Sequence, residues 1–196
     1  MQKRTPLYEE HLALGAKMVD FGGWAMPVNY GSQVEEHRTV RSDAGMFDVS
    51  HMTIVDVSGA NSEGFLRHVL ANDVKRLSDN QALYSLMLNE TGGIIDDLIV
   101  YKLKDRYRCV FNGATESAVR SWITGFKSED VVLNFSRMVM IALQGPRAIE
   151  SLLSFESISG LEQLKSFFSM QFGSWLIART GYTGEDGLEI MLPEQE

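Results

Sequence analysis

The sequence is short of several things that would have placed it quickly. It has one cysteine among 196 residues. Cys109 therefore cannot close an internal disulfide. With Arg108, Val110 and Phe111 around it, it reads as a small hydrophobe inside a strand, which suits a reducing compartment. No apolar run is long enough to span a bilayer. The start, Met1 to Pro6, is charged but has no apolar stretch behind it, so it does not read as a signal peptide. The expected location is the cytoplasm. Basic residues are outnumbered, 18 Lys and Arg against 26 Asp and Glu, for a net charge of −8. That balance argues against nucleic acid, which calls for a basic face. The four histidines, His11, His37, His51 and His68, lack the spacing of a zinc site, and no metal is expected. There is no Gly-x-Ser-x-Gly elbow to make Ser50-His51 a nucleophile pair. Internal repeats and low-complexity linkers are absent too.

What remains is an ordinary globular composition, 44% hydrophobic and 22% charged, in a chain long enough for one large domain or two small ones. Leu7 to Leu14 reads as a short helix with Thr5 as N-cap and Pro6 at the first position. Lys17–Phe21 reads as a strand. Gly22 to Tyr30, with two glycines and a proline, reads as a packed loop. Ser32 caps a helix to about Ala44, with Glu35 completing a capping box. From Met52 to about residue 136 the pattern is strand, helix, strand, strand, strand, helix, strand, which suggests a small, broadly ferredoxin-like α+β sandwich. Beyond it, Met138–Gln144 is a buried-type strand. Helices are expected from Gly145 to about Leu153 and over Leu161 to Phe168. Ser174–Thr180 and Leu188–Leu192 form a strand pair around a glycine-rich turn. Leu192 to Glu196 looks like the opening of a further element, as in a piece of a longer chain.

The centre of the chain is Thr91-Gly92-Gly93-Ile94-Ile95-Asp96-Asp97-Leu98-Ile99-Val100-Tyr101, in which a glycine turn runs into an apolar strand headed by two carboxylates. Adjacent strand side chains point to opposite faces, so at most one acid serves a given pocket. Both could equally be turn residues; the functional alternative is a single hydrogen-bond or proton acceptor beside a cleft. The segment Gly181 to Gly187 lacks the lysine and following helix of a phosphate loop, and lacks dinucleotide spacing, so a tight hairpin is its plain reading. Glu189, between Leu188 and Ile190, would ordinarily face solvent. A carboxylate there could also accept paired hydrogen bonds from the N–H/NH₂ edge of a pterin or guanine. Asn112, at a strand end, is a turn-former or a polar group at a cleft.

Several segments together resemble the aminomethyltransferase, or T-protein, family of the glycine cleavage system. They are Thr5–Tyr8, Gly22–Trp24 through Pro27–Tyr30, Glu36-His37 through Val40-Arg41, Phe47–Met52, Gly92–Val100, Ala142–Pro146 and Thr180–Glu189. The resemblance implies a folate-binding T-protein fold. Its discontinuous first domain would comprise 1–51 and 137–196, with an inserted ferredoxin-like domain at 52–136. The family's C-terminal β-barrel, which supplies a further arginine to the pterin site, would be missing. The implied reaction transfers the methylene carbon from the aminomethyl-dihydrolipoyl arm of H-protein to tetrahydrofolate, releasing ammonia. By resemblance Asp97 is the catalytic carboxylate beside the folate N5/N10 region, and Glu189 grips the pterin N3–H and 2-amino edge. Tyr84, Asn112, Tyr182 and Met52 match neighbours of the folate. A folate-dependent demethylase and a non-catalytic folate-binding scaffold share the expected fold. The implied partners are lipoylated H-protein and tetrahydrofolate, with no metal, nucleic acid or membrane.

Overall fold

Strand β1 (Lys3–Arg4) leads into helix α1 (Tyr8–Ala13), strands β2 (Lys17–Phe21) and β3 (Trp24–Asn29), helix α2 (Gln33–Ser42) and strand β4 (Gly45–Asp48) in the computed structural model, which describes residues 2–195. Two of these elements differ from expectation. Helix α1 is capped by backbone alone: the carbonyl of Thr5, not its hydroxyl, takes the Tyr8 N–H at 3.1 Å. The segment read as a loop contains β3, which pairs antiparallel with β2 and parallel with β1. Pro27 hid it. That proline sits beyond the reach of β1, which pairs only with Trp24 and Ala25, and next to a register shift opposite Lys17 and Met18. An edge or a bulge is where a strand tolerates a residue with no N–H. Helix α2 begins as its sequence indicates, with Ser32 Oγ accepting from the Glu35 N–H at 3.3 Å. The reciprocal half of the capping box is not made, because Glu35 turns to Arg38 at 2.7 Å.

Residues 52–137 form one compact unit, and 1–51 with 138–196 form another. In the 52–137 unit, β5 (Thr53–Ser58), α3 (Ser62–Val69), β6 (Ala82–Leu88), β7 (Ile94–Lys102), β8 (Tyr107–Phe111), α4 (Glu116–Gly125) and β9 (Val132–Ser136) follow one another. The sheet runs β6-β7-β8-β5-β9, antiparallel throughout. Without β6 this is the split β-α-β arrangement of a ferredoxin-like unit. Its core is the inward set of each strand (Val55, Val57, Leu98, Val100, Cys109, Phe111) against the apolar stripes of α3 and α4. Period two on the strands and period 3.6 on the helices meet there.

The remaining unit is completed by β10 (Val139–Gln144), α5 (Ala148–Phe155), β11 (Ser169–Phe172), β12 (Trp175–Ala178) and β13 (Gly187–Leu192). Its main sheet runs β11-β12-β13-β10-β4. Leu152, Leu161, Ile177, Leu188, Ile190 and Leu192 form its core. The helix expected over Leu161–Phe168 is only a 3₁₀ turn, Leu161–Gln163. A tertiary ladder has taken its backbone. Arg179 donates through Nη1 to the Leu164 carbonyl at 2.7 Å, and the main chains of Phe167 and Phe168 bond to that of Arg179, both at 2.9 Å. Glu196, last in the segment expected to open another element, lies outside the described residues.

Candidate functional site

The turn before β7 is held by neither aspartate. Asn89 Oδ1 accepts from the N–H of Thr91 at 3.0 Å and of Gly93 at 2.8 Å, and Gly92 takes the left-handed φ of 82° that the reversal needs. Asp96 and Asp97 are therefore free for other contacts, and the pleat sends them to opposite faces of the sheet.

Asp96 shares the helix-covered face with Leu98 and Val100 and is only 4% exposed. It accepts from the Asn112 N–H at 3.0 Å, from Asn112 Nδ2 at 2.8 Å and from Thr115 Oγ1 at 2.8 Å. Asp97, half-buried on the other face, accepts from the Tyr84 hydroxyl at 3.2 Å and from Asn112 Nδ2 at 3.0 Å. One asparagine amide thus touches both acids. Tyr84 is 46% exposed. Its pKa is raised, first by desolvation and then by the charge of Asp97, so the phenol keeps its proton and donates. Met52 precedes Thr53, which pairs with Phe111, so its backbone lies at the same end of the sheet as Asn112. Asp97, Tyr84 and Asn112 are joined by hydrogen bonds, with Met52 at the same strand end.

Glu189 and Tyr182 belong to the other unit. Glu189 does not face solvent. It is 1% exposed, paired across β13 with Ala142 on one side and Ala178 on the other. The small alanines leave room for a carboxylate on a sheet face. The Thr180 hydroxyl donates to Glu189 Oε2 at 2.5 Å. The loop carrying Thr180 is not a tight hairpin: residues 179–186 wrap around Gln144, which is itself buried. Gln144 Nε2 donates to the carbonyls of Thr180 (3.1 Å) and Leu188 (3.2 Å), and its Oε1 accepts from Thr183 Oγ1 at 3.0 Å. This explains two of the loop's glycines. A Cβ on Gly181 or Gly187 would overlap the Gln144 amide. Arg179 and Asp186 form an ion pair across the loop's neck, and Arg41 ties Glu185 to α2 at 2.6 Å. Tyr182 sits exposed at the loop's outer side.

Residue patterns did not reveal a further chain of polar groups. His11 on α1 is buried, with Nε2 at 3.2 Å from Asp48 Oδ2 and Nδ1 at 2.7 Å from the Tyr30 hydroxyl. Thirty-seven residues separate His11 from Asp48, and no local signal links them. Burial, with Asp48 and Glu36 nearby, raises the Tyr30 pKa. A cavity of about 930 Å³ lies beside this chain, lined by Phe21, Met26, Tyr30, Phe47 and His51 among others, and none of the six residues singled out from the sequence lines it. Among the described residues no group of three or more His, Cys, Asp or Glu could hold a metal ion. No helix among them is long and apolar enough to cross a membrane.

The family model for the GCVT N-terminal domain matches residues 7–196. The chain belongs to this family. It is 52% identical to the aminomethyltransferase of Alcanivorax borkumensis and 54% identical to that of Pseudomonas syringae pv. tomato, in each case over 100% of this chain and 56% of the relative. The GCVT chain thus spans little more than half the length of those relatives. The crystal structure of glycine cleavage system aminomethyltransferase T from Bartonella henselae superposes with a TM-score of 0.93 at 37% identity, covering 100% of this chain and 55% of that one. A heterotetrameric sarcosine oxidase from Corynebacterium sp. U-96 shares the fold, with a TM-score of 0.61 at 13% identity over 98% of this chain and 88% of its own. The α+β fold expected from the sequence is the one observed.

Proposed function

We propose that this GCVT domain forms the N-terminal part of an aminomethyltransferase of the glycine cleavage system. That enzyme moves the methylene carbon from aminomethyl-dihydrolipoyl H-protein to tetrahydrofolate and releases ammonia, in the cytoplasm. The observation that carries the reading is the Asp97 carboxylate held between Tyr84 and Asn112, in a chain more than half identical to two enzymes of that name.

The chemistry asks for a group of this kind. The methylene carbon becomes electrophilic as ammonia or sulfur leaves, and a folate nitrogen attacks it. Two bonds from carbon to folate nitrogen form while the bonds to ammonia and sulfur break. A fixed carboxylate orients the folate amine, takes up the proton it sheds and stabilises positive charge on the carbon. Each Asp97 oxygen accepts one hydrogen bond from the protein and keeps a second acceptor direction for the ligand. Tyr84 and Asn112 hold the group at a set orientation, which is where positioning contributes to rate.

In this reading Glu189 takes the pterin N3–H and 2-amino group as a pair of charge-assisted hydrogen bonds, with Tyr182 and Met52 as folate neighbours. A carboxylate set among alanines, with one oxygen already engaged by Thr180, has the polarity and rigidity for that task. The test uses full-length protein with aminomethylated H-protein and tetrahydrofolate. Methylenetetrahydrofolate is the expected product, and Asp97→Asn should keep folate binding while losing most turnover. No product from the wild type overturns the reading; unchanged turnover in Asp97→Asn overturns the role of Asp97.

A further inference from the structure

We propose that Asp96 is a positioning residue for the Asp97 site, acting through Asn112, and that Asn112 thereby presents its Oδ1 to the ligand as an acceptor. The proposal rests on the reading of Asp97 given above.

Asp96 carries more side-chain hydrogen bonds than its neighbour, three against two. All three come from the segment that leaves β8: the main-chain N–H and side-chain amide of Asn112, and the hydroxyl of Thr115. Buried polar groups keep such full satisfaction because a lapse is costly. The consequence falls on Asn112. Its Nδ2 lies 2.8 Å from Asp96 Oδ1 and 3.0 Å from Asp97 Oδ1, with the Asp97 carbonyl at 3.3 Å. An amide nitrogen has two protons, and here both go to carboxylates. The flipped amide would set its oxygen against two carboxylate oxygens at once, so the contacts themselves fix the orientation. With both amide protons on carboxylates, Oδ1 is the acceptor that the Asn112 side chain has left to offer.

This arrangement answers a geometric problem set by the strand. Two adjacent acids point to opposite faces and cannot support one another directly. Asn112, where β8 gives way to the 3₁₀ turn Gly113–Thr115, reaches both. The buried acid anchors the amide; the amide holds the half-exposed acid and offers an oxygen to a ligand N–H. Such supporting contacts typically matter by ten- to a hundredfold in activity, as do small misplacements of reacting groups.

The test is kinetic and uses full-length enzyme, with methylenetetrahydrofolate formation as readout. In Asp96→Asn the new amide lets Asn112 turn over. We expect kcat to fall about tenfold or more with KM for tetrahydrofolate changing less. Combined with Asn112→Ala, Asp96→Asn should add little, because the residue it acts through is gone. A kcat within twofold of wild type, or losses that multiply in the double variant, overturns the proposal. If Asp96→Asn does not fold, as judged by its thermal transition, Thr115→Val carries the test, since it removes one donor from Asp96 and should lower kcat; an unchanged kcat overturns it. Asp97→Asn in the same assay separates the two ideas: an active wild type and a failing Asp97→Asn with unaffected Asp96 variants retire only this proposal.

Discussion

The side-chain amide of Gln144 donates to the carbonyl of Thr180 at 3.1 Å, from a strand thirty-six residues away. Thr180 in turn donates to Glu189. The buried glutamine is thus the post around which the glycine loop turns, and the loop delivers a hydroxyl to a buried acid.

Gly181→Ala should be among the more damaging single changes in this unit. Its Cβ would overlap the Gln144 amide, which is fixed at both ends and buried, so neither partner yields easily. A loss of about 2 kcal/mol or more is expected from such overpacking. Urea unfolding measures it, with Gly184→Ala as comparison. Gly184 has a left-handed φ of 77° but meets only the end of Arg41, so its cost is conformational alone.

Glu189→Ala should weaken tetrahydrofolate binding by about tenfold or more, the usual worth of hydrogen bonds to a charged group. Glu189→Gln keeps the shape but offers one acceptor in place of two, and should fall between. Equilibrium binding followed by fluorescence is the measurement. An affinity unaltered in Glu189→Ala counts against the pterin-edge role.

His51 predicts an acid limit to stability. Burial lowers its pKa, with Asp48 opposing part of the shift. The folded state therefore favours the neutral ring, and the unfolded chain binds the proton first as pH falls below about 6.5. Stability contributed by neutral His51 is complete above that pH and declines below it. His51→Phe, which keeps a ring against Phe21, should flatten the decline in denaturation midpoint between about pH 6.5 and 5. An identical decline in the variant refutes the assignment.

Asp56 and Arg108 are cross-strand partners on β5 and β8, joined by two hydrogen bonds of 2.7 and 2.9 Å with little exposure of either side chain. Arg108→Met should cost about 3 kcal/mol, because Asp56 is left partly unpaired away from water, although Arg106 still reaches it at 3.1 Å. Removing both partners, Asp56→Val with Arg108→Met, should cost less than the single change. A double-mutant cycle decides it.

Cys109 should be silent to thiol reagents in the native protein. It is fully packed in the sheet core, and burial pushes its thiol up, so little thiolate forms. Its labelling rate should equal the rate of unfolding; prompt labelling would mean that the core opens locally.

Much of the architecture could be read from residues alone. The strand and helix order of 52–136 was plain because Thr53–Val57, Phe65–Leu70 and Ile94–Val100 carry clean periods and are separated by Gly, Asn and Asp turns. Strand β3 was not, because Pro27 and two glycines mimic a loop and only its partners β1 and β2 justify it. Leu161, Leu164 and Phe168 have helical spacing, yet Arg179 captures the backbone first. The amphipathic period says which residues want burial, not which long-range partner will satisfy the main chain.

The site divides in the same way. Strand alternation by itself determined that Asp96 and Asp97 face apart, and the motif run pointed to Asp97, Glu189, Tyr84, Asn112, Tyr182 and Met52. Only the tertiary structure decided that Asn89 holds the turn, that one amide joins the two acids, that Glu189 is buried among alanines, and that Gln144 gives the loop glycines their reason. Local sequence sets dihedral preference and side-chain direction over a few residues. Hydrogen bonds between residues fifteen to forty apart depend on register between strands, and register is settled only when the whole sheet packs.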